Sequence, residues 1–330
     1  MTEANQQKEL FNHIRQSLPQ HVSMANEIAG LLNISNDSVY RRIRGEKPVT
    51  LNELKLLCEH FHLSLDQVLQ LNTNKVLFID TEANTLLSNF KDYMHSLIAQ
   101  LQYFNSFKHR QVMYLSKDIP IFYFFYFKEL AAFKSFFWSR SILNDPDFEG
   151  RNFSFNNFDI KEYFELGQKV LQEYNTIPCA ELWNYESINS TVSQIEYYRD
   201  AGIFETAADL NKIVDSCDAM LQHLQKQVEK GCKFLPGIGE AGYGASIKFY
   251  VNELILGNNS IMVETDDTKI AFINHIVLKY ISTTDKKFTE KAFSNFQNLV
   301  SRSTLISETN ERDRNKFFNI LRERVQACKK

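Results

Sequence analysis

The chain is predicted to be multidomain: an all-α N-terminal domain of five short helices, followed by a larger α+β domain with an antiparallel sheet and long amphipathic helices. Three observations carry this. At 330 residues the chain exceeds a typical domain of about 100 to 200 residues. Up to residue 71 apolar residues recur every three or four positions in short runs broken by cap and turn residues, which is helical patterning. Beyond residue 75, runs rich in β-branched and aromatic residues alternate with longer helical stretches. The predicted division is therefore a domain over 1–71, a polar linker "NTNK" over 72–75, and a second domain over 76–330.

The first helix covers "KELFNHIRQSL", with Leu10, Phe11, Ile14 and Leu18 at helical intervals before Pro19 interrupts. Ser23 can cap a second helix, whose apolar side is Ile28, Leu31 and Leu32. The stretch "LNIS" reads as a tight turn. Asn33 tolerates a left-handed backbone, Ile34 plugs the core and Ser35 caps the next helix. That third helix runs from about Asn36 to Arg44 and stops at Gly45. Thr50 with Glu53 forms a capping box for a fourth, expected to bury Leu51, Leu54, Leu57 and Cys58. A fifth short turn, capped by Ser64, carries Leu65, Val68 and Leu69.

At about 100° per residue, Val39 and Ile43 mark the buried side of the third helix. Arg41 then points away from the core, with Asp37 and Arg44 beside it and Ser38 and Tyr40 on the shoulders. The sequence "EIAGLLNISNDSVYRRIRGE", followed by "LNELKLLCEHFHLSLDQVL", resembles the phage-repressor-like (Cro and C1, or XRE) helix-turn-helix family over about residues 7 to 71. The resemblance implies a bacterial, lambda-repressor-like DNA-binding domain whose third helix enters the major groove. By position, it makes Asn36, Asp37 and Arg41 base-facing and puts Tyr40, Arg44 and Lys47 near the backbone. Arg42 departs from the pattern, standing where the family often has an apolar residue, which leaves open which arginine meets a base. Residues 1–75 carry eight Lys or Arg and eight Asp or Glu, so non-specific DNA affinity is expected to be weak and salt-dependent.

In the second domain, Leu87, Phe90, Met94, Leu97, Leu101 and Phe104 have the spacing of a coiled-coil seam, which either packs into its own domain or joins two chains. "RQVMYLS" and "IPIFYFFYF" read as two strands joined at "KDIP". The second leads into a helix carrying Leu130, Phe133 and Phe137, and residues 144–157 read as a loop. Helices are expected over Ile160 to Tyr174, Leu182 to Tyr198 and Leu210 to Val228. "GIGEAG" at 237–242 lacks the strand before and helix after that a dinucleotide loop needs, and reads as a loop. "SIKFYVNELIL", "SIMVET" and "KIAFINHIVLKYIS" read as an antiparallel meander, giving about five strands in all. Helices near 287–301 and 309–328 close the chain.

Composition excludes several classes. A formal net charge of −3 does not fit a general polyanion-coating protein. Five scattered cysteines, Cys58, Cys179, Cys217, Cys232 and Cys328, fit neither a disulfide framework nor a zinc site. The most apolar run, Ile119 to Trp138, holds Lys128, Glu129 and Lys134, unlike a membrane span, and the N-terminus has no secretion-signal pattern, so a cytoplasmic protein is expected. His60 and His62 are too close in a helix to share a metal, and "SNFK" at Ser88 to Lys91 matches SxxK without companion motifs. No cofactor and no enzymatic activity are expected. The sequence thus points to a transcriptional regulator that binds double-stranded DNA as a homodimer, with a C-terminal domain for oligomerisation or for sensing a small-molecule or peptide effector. The aromatics between Phe104 and Phe164 either fill a core or line a pocket, and a pocket would favour sensing. One rival is an enzyme tethered to DNA. Another is a protein-interaction adaptor, in which Arg41 and Arg44 would be held in salt bridges.

Overall fold

A computed structural model describes residues 3–18, 22–61, 63–68, 76–80, 89–239, 242, 244–253, 257–266 and 268–329. Leu69, the linker 72–75, Leu87, Ser88, His62, the middle of "GIGEAG" and the end of "SIKFYVNELIL" lie outside them. The chain divides into two compact units, 1–75 and 76–330.

Unit 1 is helical: α1 (Glu3–Ser17), α2 (Met24–Leu32), α3 (Asn36–Ile43), α4 (Leu51–His60) and the single turn α5 (Leu65–Val68). Its core is Leu10, Phe11, Ile14, Ala25, Ile28, Val39, Leu57 and Phe61. Most of these fall on the predicted apolar stripes, because a helix must bury one face to be stable in water. Two local expectations fail. Leu51, in the first turn of α4, is 77% exposed. Ser23 holds the N-cap position of α2 without a side-chain hydrogen bond.

Unit 2 is built on one mixed eight-stranded sheet in the order β1-β7-β6-β5-β2-β3-β4-β8. The strands are β1 (Ile79–Asp80), β2 (Arg110–Ser116), β3 (Cys179–Trp183), β4 (Ile247–Val251), β5 (Ser260–Thr265), β6 (Lys269–Ile276), β7 (Lys279–Thr283) and β8 (Thr304–Leu305). The expected five-stranded antiparallel sheet is therefore corrected. β2, β3 and β4 run parallel at its centre, and only the flanks are antiparallel. Parallel neighbours need long crossovers. The first is supplied by a 3-10 helix (Ile121–Tyr126), α7 (Lys128–Phe137) and α8 (Lys161–Tyr174), and the second by α9 (Asn189–Asp200) and α10 (Ala207–Lys230). Among the described residues the remaining α-helices are α6 (Phe90–Asn105), α11 (Lys286–Val300) and α12 (Glu311–Ala327), and α7 runs on into a π-helical turn (Trp138–Ile142) and then a short 3-10 helix (Pro146–Phe148).

Both faces of the central strands are covered. Val112, Tyr114, Cys179, Trp183 and Phe249 enter the large core shared with α6, α7, α8, α10 and α12. Met113, Ala180, Leu182 and Met262 pack on the other face against Phe293 and Phe296 of α11. Among the described residues no helix is long and apolar enough to cross a membrane.

Three further predictions are overturned. Leu182 to Tyr198 is not one helix: its start belongs to β3, and α9 begins only at Asn189. All five β3 residues are buried, so the strand shows none of the alternation that would mark it. "IFYFFY" is a 3-10 helix, not a strand. Its side chains point in several directions and each meets protein: Phe122 stacks on Tyr174 with centroids 3.9 Å apart, Phe124 meets Trp138, and Tyr123 reaches Glu181. "KIAFINHIVLKYIS" is a hairpin of β6 and β7, turned at Leu278 with φ +67° and closed by the Asn274 amide donating to Ile276 O and Lys279 O. The stripe on α6 buries inside unit 2, with Phe90, Met94, Leu101 and Phe104 at 5% exposure or less.

Glu181, fully buried on β3, accepts hydrogen bonds from Tyr123 and Tyr174 hydroxyls at 2.6 Å each and from Trp183 Nε1 at 2.8 Å. The two tyrosines tie the 3-10 helix and the end of α8 to the sheet. Where α8 crosses the 3-10 helix the approach needs glycine: a Cβ on Gly167 would lie 2.6 Å from Cδ1 and 3.0 Å from Cβ of fully buried Phe125. We expect Gly167→Ala to destabilise unit 2 by about 1–2 kcal/mol in urea titrations, because overpacking outweighs the gain in helix propensity. Gly30→Ala, which meets nothing within 4 Å, should instead stabilise α2 by about 0.5–1 kcal/mol.

Candidate nucleic-acid interface

The turn between α2 and α3 is built as its residues dictate. Asn33 takes the left-handed conformation at φ 51° and ψ 50°, and Ile34 N returns to Ala29 O at 3.1 Å. Ser35 is extended, and its hydroxyl accepts from Ser38 N at 3.3 Å, capping α3. Gly45, at φ +80°, turns the chain out of the helix. The capping box of α4 is complete, with Glu53 N donating to Thr50 Oγ1 at 3.3 Å and Thr50 N donating to Glu53 Oε2 at 2.9 Å.

Glu53 does a second job. Its carboxylate receives Arg42 Nε at 3.2 Å and Nη2 at 2.6 Å, while Arg42 Nη1 donates to Ser38 O at 3.1 Å. Arg42 is 2% exposed. It thus fills the apolar slot of the pattern as one half of a bidentate ion pair joining α3 to α4. Gln7 of α1 adds a clamp, donating to Arg42 O at 2.6 Å and Lys47 O at 2.8 Å and accepting from Val49 N at 3.1 Å. Burial pushes the Glu53 carboxyl up, but hydrogen bonds from Arg42 and Thr50 outweigh it and hold the group below its ordinary value.

This anchoring fixes which side of α3 meets solvent. Val39 is fully buried, whereas Asn36, Asp37, Tyr40, Arg41, Arg44 and Lys47 are exposed and Ser38 is half-buried. The Asn36 amide donates to Asn26 Oδ1 at 3.0 Å. Arg44 forms a bidentate pair with Glu46, Nε to Oε1 at 2.6 Å and Nη2 to Oε2 at 3.1 Å, and Arg41 Nε lies 3.8 Å from Glu46 Oε2. The hydrogen bond with Glu46 raises the Arg44 guanidinium above its ordinary value, and the Glu46 carboxyl is lowered in turn. Glu46 and Gln7 escape sequence reasoning. Glu53 is visible in the sequence as a capping residue but not as the partner of Arg42.

Unit 2 contains a cavity of about 230 Å³ under α6 and the β6–β7 hairpin. Its walls include Leu101, Phe104, Val112, Phe122 and Ile261, and partly exposed Leu97 and Val277 reach it from α6 and the hairpin. Among the described residues, Lys134 and Asp118 are the charged groups on its lining. Some of the predicted aromatic wealth therefore lines a pocket, though most of it fills the core.

Residues 5–87, about a quarter of the chain, match the family model of the BetR domain, a helix-turn-helix-like regulatory domain. The match takes in the helices of unit 1, extends through β1, and points to a DNA-binding transcription regulator. No curated protein and no solved structure matches the chain significantly.

Removing the Glu53 carboxylate leaves the Arg42 charge buried and unpaired. We expect Glu53→Ala to cost unit 1 about 3 kcal/mol, read as faster amide hydrogen exchange in α3 and α4, while Glu46→Ala leaves those amides unchanged. Because the folded-state pKa of Glu53 is depressed, its stabilisation is present above the ordinary value of 4.5 and is lost as pH falls through the lowered one. Wild-type α3 amides should lose protection in that acid window, and those of Glu53→Ala should respond less.

Proposed function

We propose that the chain is a sequence-specific, non-enzymatic DNA-binding transcription regulator of the Cro and C1 (XRE) type. It acts in the bacterial cytoplasm as a homodimer on two half-sites, without a cofactor. Unit 2 sets the spacing of the two readers and senses an effector.

The observation that carries this reading is the one-sided exposure of α3: its inward face is pinned by Val39 and the Arg42–Glu53 pair, and its outward face carries Asn36, Asp37, Arg41 and Arg44. Arg41 suits bidentate donation to guanine O6 and N7, and Asp37 suits acceptance from cytosine N4. Asn36 suits adenine. Ser38, Tyr40, Arg44 and Lys47 suit phosphates, which position a reader without specifying sequence. The cavity in unit 2 supports sensing over a purely dimerising role.

The adaptor reading draws on one specific observation, the engagement of Arg41 and Arg44 by Glu46. All three side chains are about half exposed, however, and ion pairs of this kind contribute little in water. A phosphate or a guanine edge can replace Glu46 at small cost.

The test is selection of genomic DNA fragments by the purified chain at about physiological salt. The wild type should enrich a sequence with two half-sites, and the double variant Arg41→Ala, Arg44→Ala should enrich none. Failure of the wild type to enrich any sequence, with saturable capture of a protein partner instead, would favour the adaptor. On the selected site, Arg44→Ala should flatten the salt dependence by about one unit of slope. Glu46→Gln, by releasing both arginines, should tighten binding a few-fold, most visibly at low salt.

A further inference from the structure

Lys134 on α7 is 2% exposed and borders the cavity of unit 2. Its ammonium donates to two neutral acceptors, Thr191 Oγ1 at 2.9 Å and Gln194 Oε1 at 2.6 Å, and lies over the Phe124 ring at 4.0 Å from its centroid. Among the described residues it forms no ion pair. Asp118, the one carboxylate among the described residues of the cavity lining, is already held by Ser190 Oγ and, at 3.4 Å, by Asn259 Nδ2. Desolvation pushes the Lys134 ammonium down to about 7, against weaker upward pulls from Cys217 and Asp118. The site thus sets an amine in an aromatic wall without the anion that would hold its charged form, and an anion placed beside it would favour that form.

Resting on the reading that unit 2 senses an effector, we propose that this cavity binds a small amphipathic monoanion. Its apolar body lies against Leu101, Phe104, Phe122 and Ile261, and its carboxylate takes the remaining N–H of Lys134. The volume of about 230 Å³, walled mostly by apolar side chains, has room for a medium-chain or aryl-alkyl acid. A single buried ammonium flanked by neutral acceptors matches a carboxylate better than a phosphate, whose sites gather several donors or a helix N-terminus.

The experiment is calorimetric titration of the full chain with octanoate, 1-octanol and octylamine, which share a tail and differ in head group. Octanoate should saturate one site per chain at least tenfold more tightly than octanol, with octylamine the weakest. Lys134→Met should bring octanoate down to the level of octanol or below, and Leu97→Trp, at the partly exposed rim, should weaken all three. The wild-type ranking needs no variant, so misfolding of Lys134→Met does not spare the proposal. Octanoate binding no tighter than octanol overturns it, as does a preference for the acid that survives in Lys134→Met. Tighter binding of octylamine also overturns it, transferring the site to Asp118. These titrations contain no DNA: acid binding with the expected ranking but no effect on the selected DNA site would remove the sensing role and leave the binding site standing.

Discussion

A charge carried into a protein interior must find compensation there, and three side chains of this fold are arranged around that requirement. Arg42 meets it with a carboxylate, in the bidentate geometry a guanidinium favours. Glu181 meets it with three neutral donors: Tyr123 of the 3-10 helix, Tyr174 at the end of α8 and Trp183 of its own strand. Lys233, fully buried, donates to Tyr174 O at 3.1 Å and Ile177 O at 2.8 Å and stands 3.4 Å over the Tyr174 ring. In each case at least one partner comes from another element, so satisfying the buried group also fixes the tertiary arrangement.

For the reader helix, the consequence is directional. An apolar residue at position 42 would tolerate small rotations of α3, because hydrophobic contact is not oriented. A two-pronged ion pair does not tolerate them: turning α3 by one residue would carry Arg42 some 100° away from Glu53. The pair therefore takes Arg42 off the solvent face and leaves Arg41 and Arg44, about equally exposed, as the cations of that helix end. The Gln7 clamp reinforces it from α1 by holding the carbonyls at both ends of the turn after α3.

What could be read from the sequence was what is local. The left-handed Asn33, the Ser35 cap, the Gly45 stop and the Thr50–Glu53 box each involve residues within three or four positions, and the structure contains all of them. The Arg42–Glu53 pair spans eleven positions and the Gln7 clamp at least thirty-five, and no periodicity encodes either. The parallel centre of the sheet failed for a related reason. β3 is buried on both faces and loses its alternation, and the buried aromatics of the 3-10 helix imitate a strand. Lys134 was legible only as a charge that breaks an apolar run. Its importance depends on Thr191 and Gln194, some sixty positions later, which occupy two of its donors with uncharged oxygens.

A sensing site can act on a reader only through a segment whose state the ligand favours differently in its bound and free forms. In unit 2 one segment that borders the cavity is the β6–β7 hairpin. Asn274, Val277, Leu278 and Tyr280 of the β6–β7 hairpin contribute to the lining, and Leu278 holds a left-handed backbone that a leucine seldom adopts. The outer strand of that hairpin pairs with β1, Ile79 opposite Ser282 and Asp80 opposite Ile281. β1 is the first strand of unit 2 and lies inside the matched regulatory domain. The hairpin that borders the cavity and the two residues of β1 are therefore neighbours in one sheet of unit 2.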